Sequence, residues 1–194
     1  TGFVFERERQ LQQVIAERGK AQALAGFMTE LFANADPSRS RGEQITVREV
    51  LDRGAIDLRA RSDLPPDIRA DLLLAMAEAN HGLALDSAAE PLYREALELK
   101  RRTGTPLELS RLQMKLAHVY AQQGRNADAI RIHREAQASL SPDEPEEFLE
   151  RTRHRVRELR NEGLASTRPA TAMAADLEKV LATLGKPTDK TLAI

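Results

Sequence analysis

Residues 110–142, SRLQMKLAHVYAQQGRNADAIRIHREAQASLSP, constrain the fold more than any other part of the chain. They read as two short antiparallel helices joined at Gly124. Leu116, Ala117 and Tyr120 put a large, small, large pattern on one face of the first helix, and Ala129, His133 and Ala136 give the second a face of mostly small residues. Small residues are needed where two helices cross closely, so these alanines mark contact points and not merely good helix formers. The rest of the chain repeats this pair, extends it or caps it.

The clearest repeat lies upstream. Residues 68–85 and 87–102 carry Met76 and Ala77 on a first helix and Ala89, Tyr93 and Ala96 on a second, in the same spacing. The two copies differ at Asn80, which stands where the central copy has Tyr120, and at Ala84, which stands where it has Gly124. Ala96 and Ala136 are forty residues apart, a longer period than the commoner repeat of about 34 residues. The small residue, the tyrosine three positions on, the turn glycine, the two bracketing alanines and the following proline resemble the tetratricopeptide repeat. Its signature positions here are Ala77, Ala89, Tyr93 and Ala96 in one copy and Ala117, Tyr120, Gly124, Ala129, Ala136 and Pro142 in the other, with His133 where an aromatic is usual. The resemblance implies an all-α, short solenoid of helix pairs that serves as a protein-interaction scaffold.

Composition agrees with that class. The 194 residues suffice for one core of moderate size or a short solenoid, aromatics are only 4%, and tryptophan is absent. A formal charge of -1 gives no net pull toward nucleic acid or an anionic membrane, so electrostatic recognition must come from local patches. With no cysteine, a disulfide framework and a thiolate metal site are both excluded, and the compartment stays open. No apolar run is long enough to span a bilayer. The chain reads as a fragment, without initiator methionine or signal peptide, and Thr1 to Phe5 reads as the tail of an apolar segment.

Three regions follow from the pattern: a long N-terminal helix in 1–35, helical repeats in 45–163, and a capping helix with a tail in 164–194. In the first, residues 6–35 carry a narrow stripe at Leu11, Val14 and Ile15 and a denser one from Phe27 to Phe32. The dense part predicts docking on the core, and the thin part reads as a stalk or a weak coiled-coil strand. Gly19 and Gly26 mark it as a place for bending or chain exchange. Residues 36–44 read as a loop, and Thr46 with Glu49 forms a capping box that starts a helix to about Arg61. Thr105, Pro106 and Glu108 predict a second one. The stretch ADPSRSRGEQITVREVLDRGA resembles a segment at the start of tetratricopeptide domains in large bacterial signalling proteins, where it follows a serine/threonine kinase domain and a membrane span and, less often, a winged-helix DNA-binding domain. That likeness implies a parent protein; no kinase motif is visible in the chain itself. A third unit is expected after Ser141 and Pro142, with a stripe of Phe148, Thr152, Val156 and Leu159 and a turn at Gly163, and residues 171–184 read as the cap.

The four histidines, His81, His118, His133 and His154, form no metal-binding pair in sequence and are expected to be exposed or groove-lining. Carboxylates sit beside arginines and lysines at helix-surface spacings, which reads as solvated ion pairs and not as an acid–base dyad. Neither an enzyme activity nor a cofactor or metal is expected of this segment. A binding reading remains. The tetratricopeptide resemblance implies that the first helices of the stacked pairs line the groove, and helical spacing beside the core stripe then selects Asp71, Leu74, Glu78 and His81, then Arg111, Met114, His118 and Gln122, then Arg153, Arg157 and Arg160. This groove would run from acidic through neutral to basic and take a protein or peptide, acidic or phosphorylated at the arginine end. The competing reading of these charges is a wet helix face. Two other classes stay open: a dimerisation module acting through the N-terminal helix, and the repeat region of a DNA-binding regulator.

Overall fold

A computed structural model describes residues 2–33, 46–61, 64–165 and 169–184. They form eight α-helices and no strand. In chain order these are α1 (Gly2–Ala33), α2 (Val47–Ala60), α3 (Pro66–Gly82), α4 (Asp86–Thr103), α5 (Pro106–Gln122), α6 (Asn126–Ser139), α7 (Pro145–Leu164) and α8 (Ala170–Leu184). Consecutive helices from α2 to α8 pack on one another, α7 also packs on α5, and α1 rests on α2 and α3. The protein is therefore an all-α helical-repeat fold. The loop read over 36–44, the side chain of Phe32 and the tail after Leu184 lie outside the described residues.

Both predicted capping boxes form. Glu49 and Glu108 each accept the backbone N–H of the threonine three residues earlier, at 2.9 Å and 2.8 Å, and each threonine hydroxyl accepts the glutamate's N–H in return. Proline takes the first helical position of α3, α5 and α7, where an N–H would have no helical acceptor.

The two helix pairs α3–α4 and α5–α6 share one turn. The N–H of Leu85 donates to the carbonyl of Asn80 at 2.9 Å, and the N–H of Arg125, forty residues on, donates to that of Tyr120 at 2.8 Å. Such a turn needs a left-handed residue. Gly124 supplies it with φ +75°, and Ala84 adopts it too, with φ 57°. Losing the glycine thus leaves the turn geometry unchanged and strains one alanine.

The core runs along the helix crossings. Ala77, Ala89, Ala96, Ala117, Ala129 and Ala136 are fully enclosed, with Tyr93 and Tyr120 buried among them. Gly54 of α2 is the docking point of the N-terminal helix, because a Cβ there would lie 2.1 Å from Cδ1 of Leu31. Phe27 and Leu31 are buried as the dense stripe predicts, whereas none of the described side chains of α1 before Phe27 is buried.

The third unit differs from expectation. Of the predicted stripe on α7, Leu159 is enclosed and Val156 is exposed. The buried face is instead polar, built from Glu150, His154, Glu158, Asn161 and Glu162. Arg134 of α6 reaches Glu158 at 2.6 Å and Glu162 at 2.8 Å, Gln137 donates to Glu158 at 2.9 Å, and Arg155 links Glu158 to Asp176 of α8. Cross-helix pairing is what makes burial of these carboxylates tolerable. Gly163 is no turn residue: it lies in the last turn of α7 and faces the methyl of Met173 on α8.

Candidate functional site

The first helices of the three pairs, α3, α5 and α7, border a groove of about 370 Å³. Its apolar surface is Met114 and Ala121, with Tyr93 and Ala117 buried beneath them. Of the eleven residues selected by sequence, Glu78, His81, Met114, His118, Arg157 and Arg160 line it together. The other five are occupied elsewhere or sit at its margins. Asp71 holds the buried ammonium of Lys100 at 2.6 Å, Leu74 packs against the core, and Arg111 lies 4.0 Å from Glu150. Gln122 contacts His118, and Arg153 pairs with Glu150.

These pairings correct the expected charge gradient. The acidic end is neutralised, since Asp71 is paired with Lys100 and Glu78 with Lys115 at 2.5 Å. At the basic end Arg153 is committed, but neither Arg157 nor Arg160 has a carboxylate partner among the described residues. The groove is therefore locally positive at its α7 wall. Sequence selection passed over Lys115, Tyr93, His133 and Asn161, which also line it. The forty-residue equivalence of Tyr93 and His133 was the available signal for two of them.

The histidines assemble into two pairs that their sequence separation hides. His81 and His118 meet edge to face in the groove, with ring centroids 5.2 Å apart, and His81 Nδ1 lies 2.6 Å from Asp86. Burial, His81 and the two arginines hold His118 below the usual imidazole range, against the pull of Asp86. His133 borders the groove as expected but is largely buried, and His154, expected to be exposed or groove-lining, is fully buried, with their Nδ1 atoms 2.9 Å apart. His154 Nε2 lies 2.8 Å from Oγ of Ser110 and 3.2 Å from its carbonyl, so the ring is held by Ser110 at one nitrogen and by His133 at the other. Burial holds both below their ordinary value, His133 to about 3. The chain His133–His154–Ser110 thus pins α6 and α7 to α5 in the neutral state.

A larger cavity, about 1050 Å³, opens between α2, α4 and α6. Five of its six arginines are matched: Arg59 with Glu95, Arg94 with Glu90, Arg101 with Glu98, Arg125 with Glu90 and Asp128, and Arg131 with Glu135, which leaves Arg69 without an ion pair among the described residues. Its largely self-neutralised charge makes it a poorer site for an ionic ligand than the smaller groove. Among the described residues no cluster of three metal-ligating side chains occurs.

Fold and groove together define a helical-repeat protein with a partly charged channel along its first helices. No family model matches the chain, and no curated protein matches it. Among solved structures it is similar to BtubC (BKLC) from P. vanneervenii, at 18% identity and a TM-score of 0.57, over 73% of this chain and 58% of that one. The likeness is one of fold. The chain spans little more than half the length of that protein.

Proposed function

We propose that the chain is a tetratricopeptide-type interaction module that binds an extended peptide in the groove between α3, α5 and α7. The convergence of Glu78, His81, Met114, His118, Arg157 and Arg160, from three helices, on one groove with an apolar floor is the observation that supports this reading. Recognition sites of this kind combine an apolar surface with a few placed polar groups. The likeness of residues 35–55 to the start of repeat domains in bacterial signalling proteins supports a regulatory or assembly role within a larger chain, such as one bearing a serine/threonine kinase. No helix among the described residues is long and apolar enough to cross a membrane.

Gly82 offers a direct test. It lines the groove, and a Cβ there meets nothing within 4 Å. Gly82→Trp should block peptide entry without disturbing the fold. Peptides selected on the parent chain from a random display library should be lost on this variant at unchanged melting temperature. Retention of all selected peptides would contradict the groove.

A second reading has its own observation. Leu11, Val14 and Ile15 of α1 are 58%, 62% and 55% exposed, ahead of the part that docks. A dimer through this segment would cover them. Sedimentation over a range of concentrations should then show self-association that disappears when residues 2–20 are removed.

A further inference from the structure

The arginines of α7 divide into two sets. Arg151 donates to the carbonyls of Gln137 and Leu140, Arg153 pairs with Glu150, and Arg155 bridges Glu158 and Asp176. Arg157 and Arg160 alone lack such a partner among the described residues, and both line the groove. Guanidinium groups one turn apart repel one another, and no ion pair among the described residues offsets that repulsion here. Beside them Asn161, 2% exposed, also lines the groove, and its amide oxygen has no hydrogen-bond partner. Two exposed, unmatched cationic donors therefore stand together where a peptide would lie, over one buried unmatched acceptor.

We propose that the α7 wall is a subsite for an acidic residue of the bound peptide, whose carboxylate is received by Arg157 and Arg160. This rests on the groove reading and specifies its ligand. An arginine fork matches a carboxylate in geometry as well as charge. The adjoining surface of Met114 and Ala121 takes an apolar neighbour, so the recognised segment alternates acidic and apolar residues.

Occupancy is coupled to a proton on His118. That ring faces His81 and Glu78 of α3, Asp86 and Tyr93 of α4, Lys115 and Gln122 of its own helix, His133 of α6, and Arg157 and Arg160 of α7. In the free chain its proton affinity is held below the ordinary imidazole value, and its Nε2 is 3.4 Å from the amide nitrogen of Gln122. Burial is the largest cause of that depression and His81 the next, and a carboxylate against the arginines cancels their share of the field at His118 and raises its proton affinity by that share. Binding then takes up a proton, and affinity rises as pH falls through the imidazole range. The peptide's glutamates stay ionised there, so the change belongs to the protein.

The probe is a fluorescein-labelled, C-amidated decapeptide alternating glutamate with leucine, compared by fluorescence polarisation with its glutamine–leucine and phosphoserine–leucine counterparts. The glutamate peptide should bind about tenfold tighter than the glutamine peptide, and the preference should shrink between about 50 and about 300 mM salt. Arg157→Ala/Arg160→Ala should abolish the preference at unchanged melting temperature. A several-fold gain from about pH 7.5 to about pH 6 should disappear in His118→Gln. Equal binding of glutamate and glutamine peptides, both blocked by Gly82→Trp, overturns the acidic subsite and leaves the groove reading standing. Binding of the phosphoserine peptide alone overturns the carboxylate assignment, and binding of none overturns the groove reading as well.

Discussion

Single residues carry most of the strain and specificity in this repeat. Ala84 occupies a left-handed turn that Gly124 fills without cost forty residues later. Ala84→Gly should therefore stabilise the protein by about 1 kcal/mol, the relief of the strained φ exceeding the added unfolded-state entropy. A urea midpoint unchanged or lowered would contradict this. Ala129, fully buried at the α5–α6 crossing, has no room for a larger side chain. Ala129→Leu should destabilise by roughly 1–3 kcal/mol, while Arg131→Ala, at an exposed ion pair with Asp128 and Glu135, should change stability by less than about 0.5 kcal/mol. The buried pair His133–His154 makes stability depend on pH. Because His133 stays neutral down to about 3 in the folded chain, the unfolded chain binds the extra proton below about 6.5. Stability is then complete above that pH and falls by roughly 1.4 kcal/mol per pH unit as acid is added, with His154 acting in the same direction. Denaturation midpoints that do not drop between pH 7.5 and 5 would exclude a neutral buried pair.

At the scale of the helix, what the sequence announces and what it conceals separate cleanly. Capping threonines, first-turn prolines and alanines at crossing spacing act locally, so α2 through α6 and their core were legible before any coordinates. The face of α7 was not. Glu150, His154, Glu158 and Glu162 read as solvated positions, and their burial depends on Arg134 and Gln137 of α6, Arg153 and Arg155 of α7 itself, and Ser110 of α5. Long-range pairing of this kind leaves no periodic trace. The histidine pairs were hidden for the same reason, being 37 and 21 residues apart in the chain. Gly54 gives the element-scale prediction: Gly54→Ala would drive a methyl into Leu31 and should cost roughly 1–3 kcal/mol, loosening α1 from α2. Wild-type stability in that variant would mean that Leu31 does not insert there.

For the whole molecule, the account holds that three first helices build one channel whose positive wall faces an apolar floor. Six of its lining residues followed from helical spacing. The charge state did not, because it is set by which carboxylates their own neighbours consume: Lys100 takes Asp71, Lys115 takes Glu78, and Arg153 takes Glu150. The four methionines are placed to test the channel. Met114 lies in it, Met76 is sealed in the core, Met28 sits on α1 and Met173 on α8. Carbon-13 methyl spectra of methionine-labelled protein, titrated with the glutamate–leucine peptide, should show the Met114 resonance moving to saturation while Met28 and Met173 stay in place. A saturable shift at Met28 or Met173 with Met114 unmoved would put the binding surface elsewhere and contradict the groove.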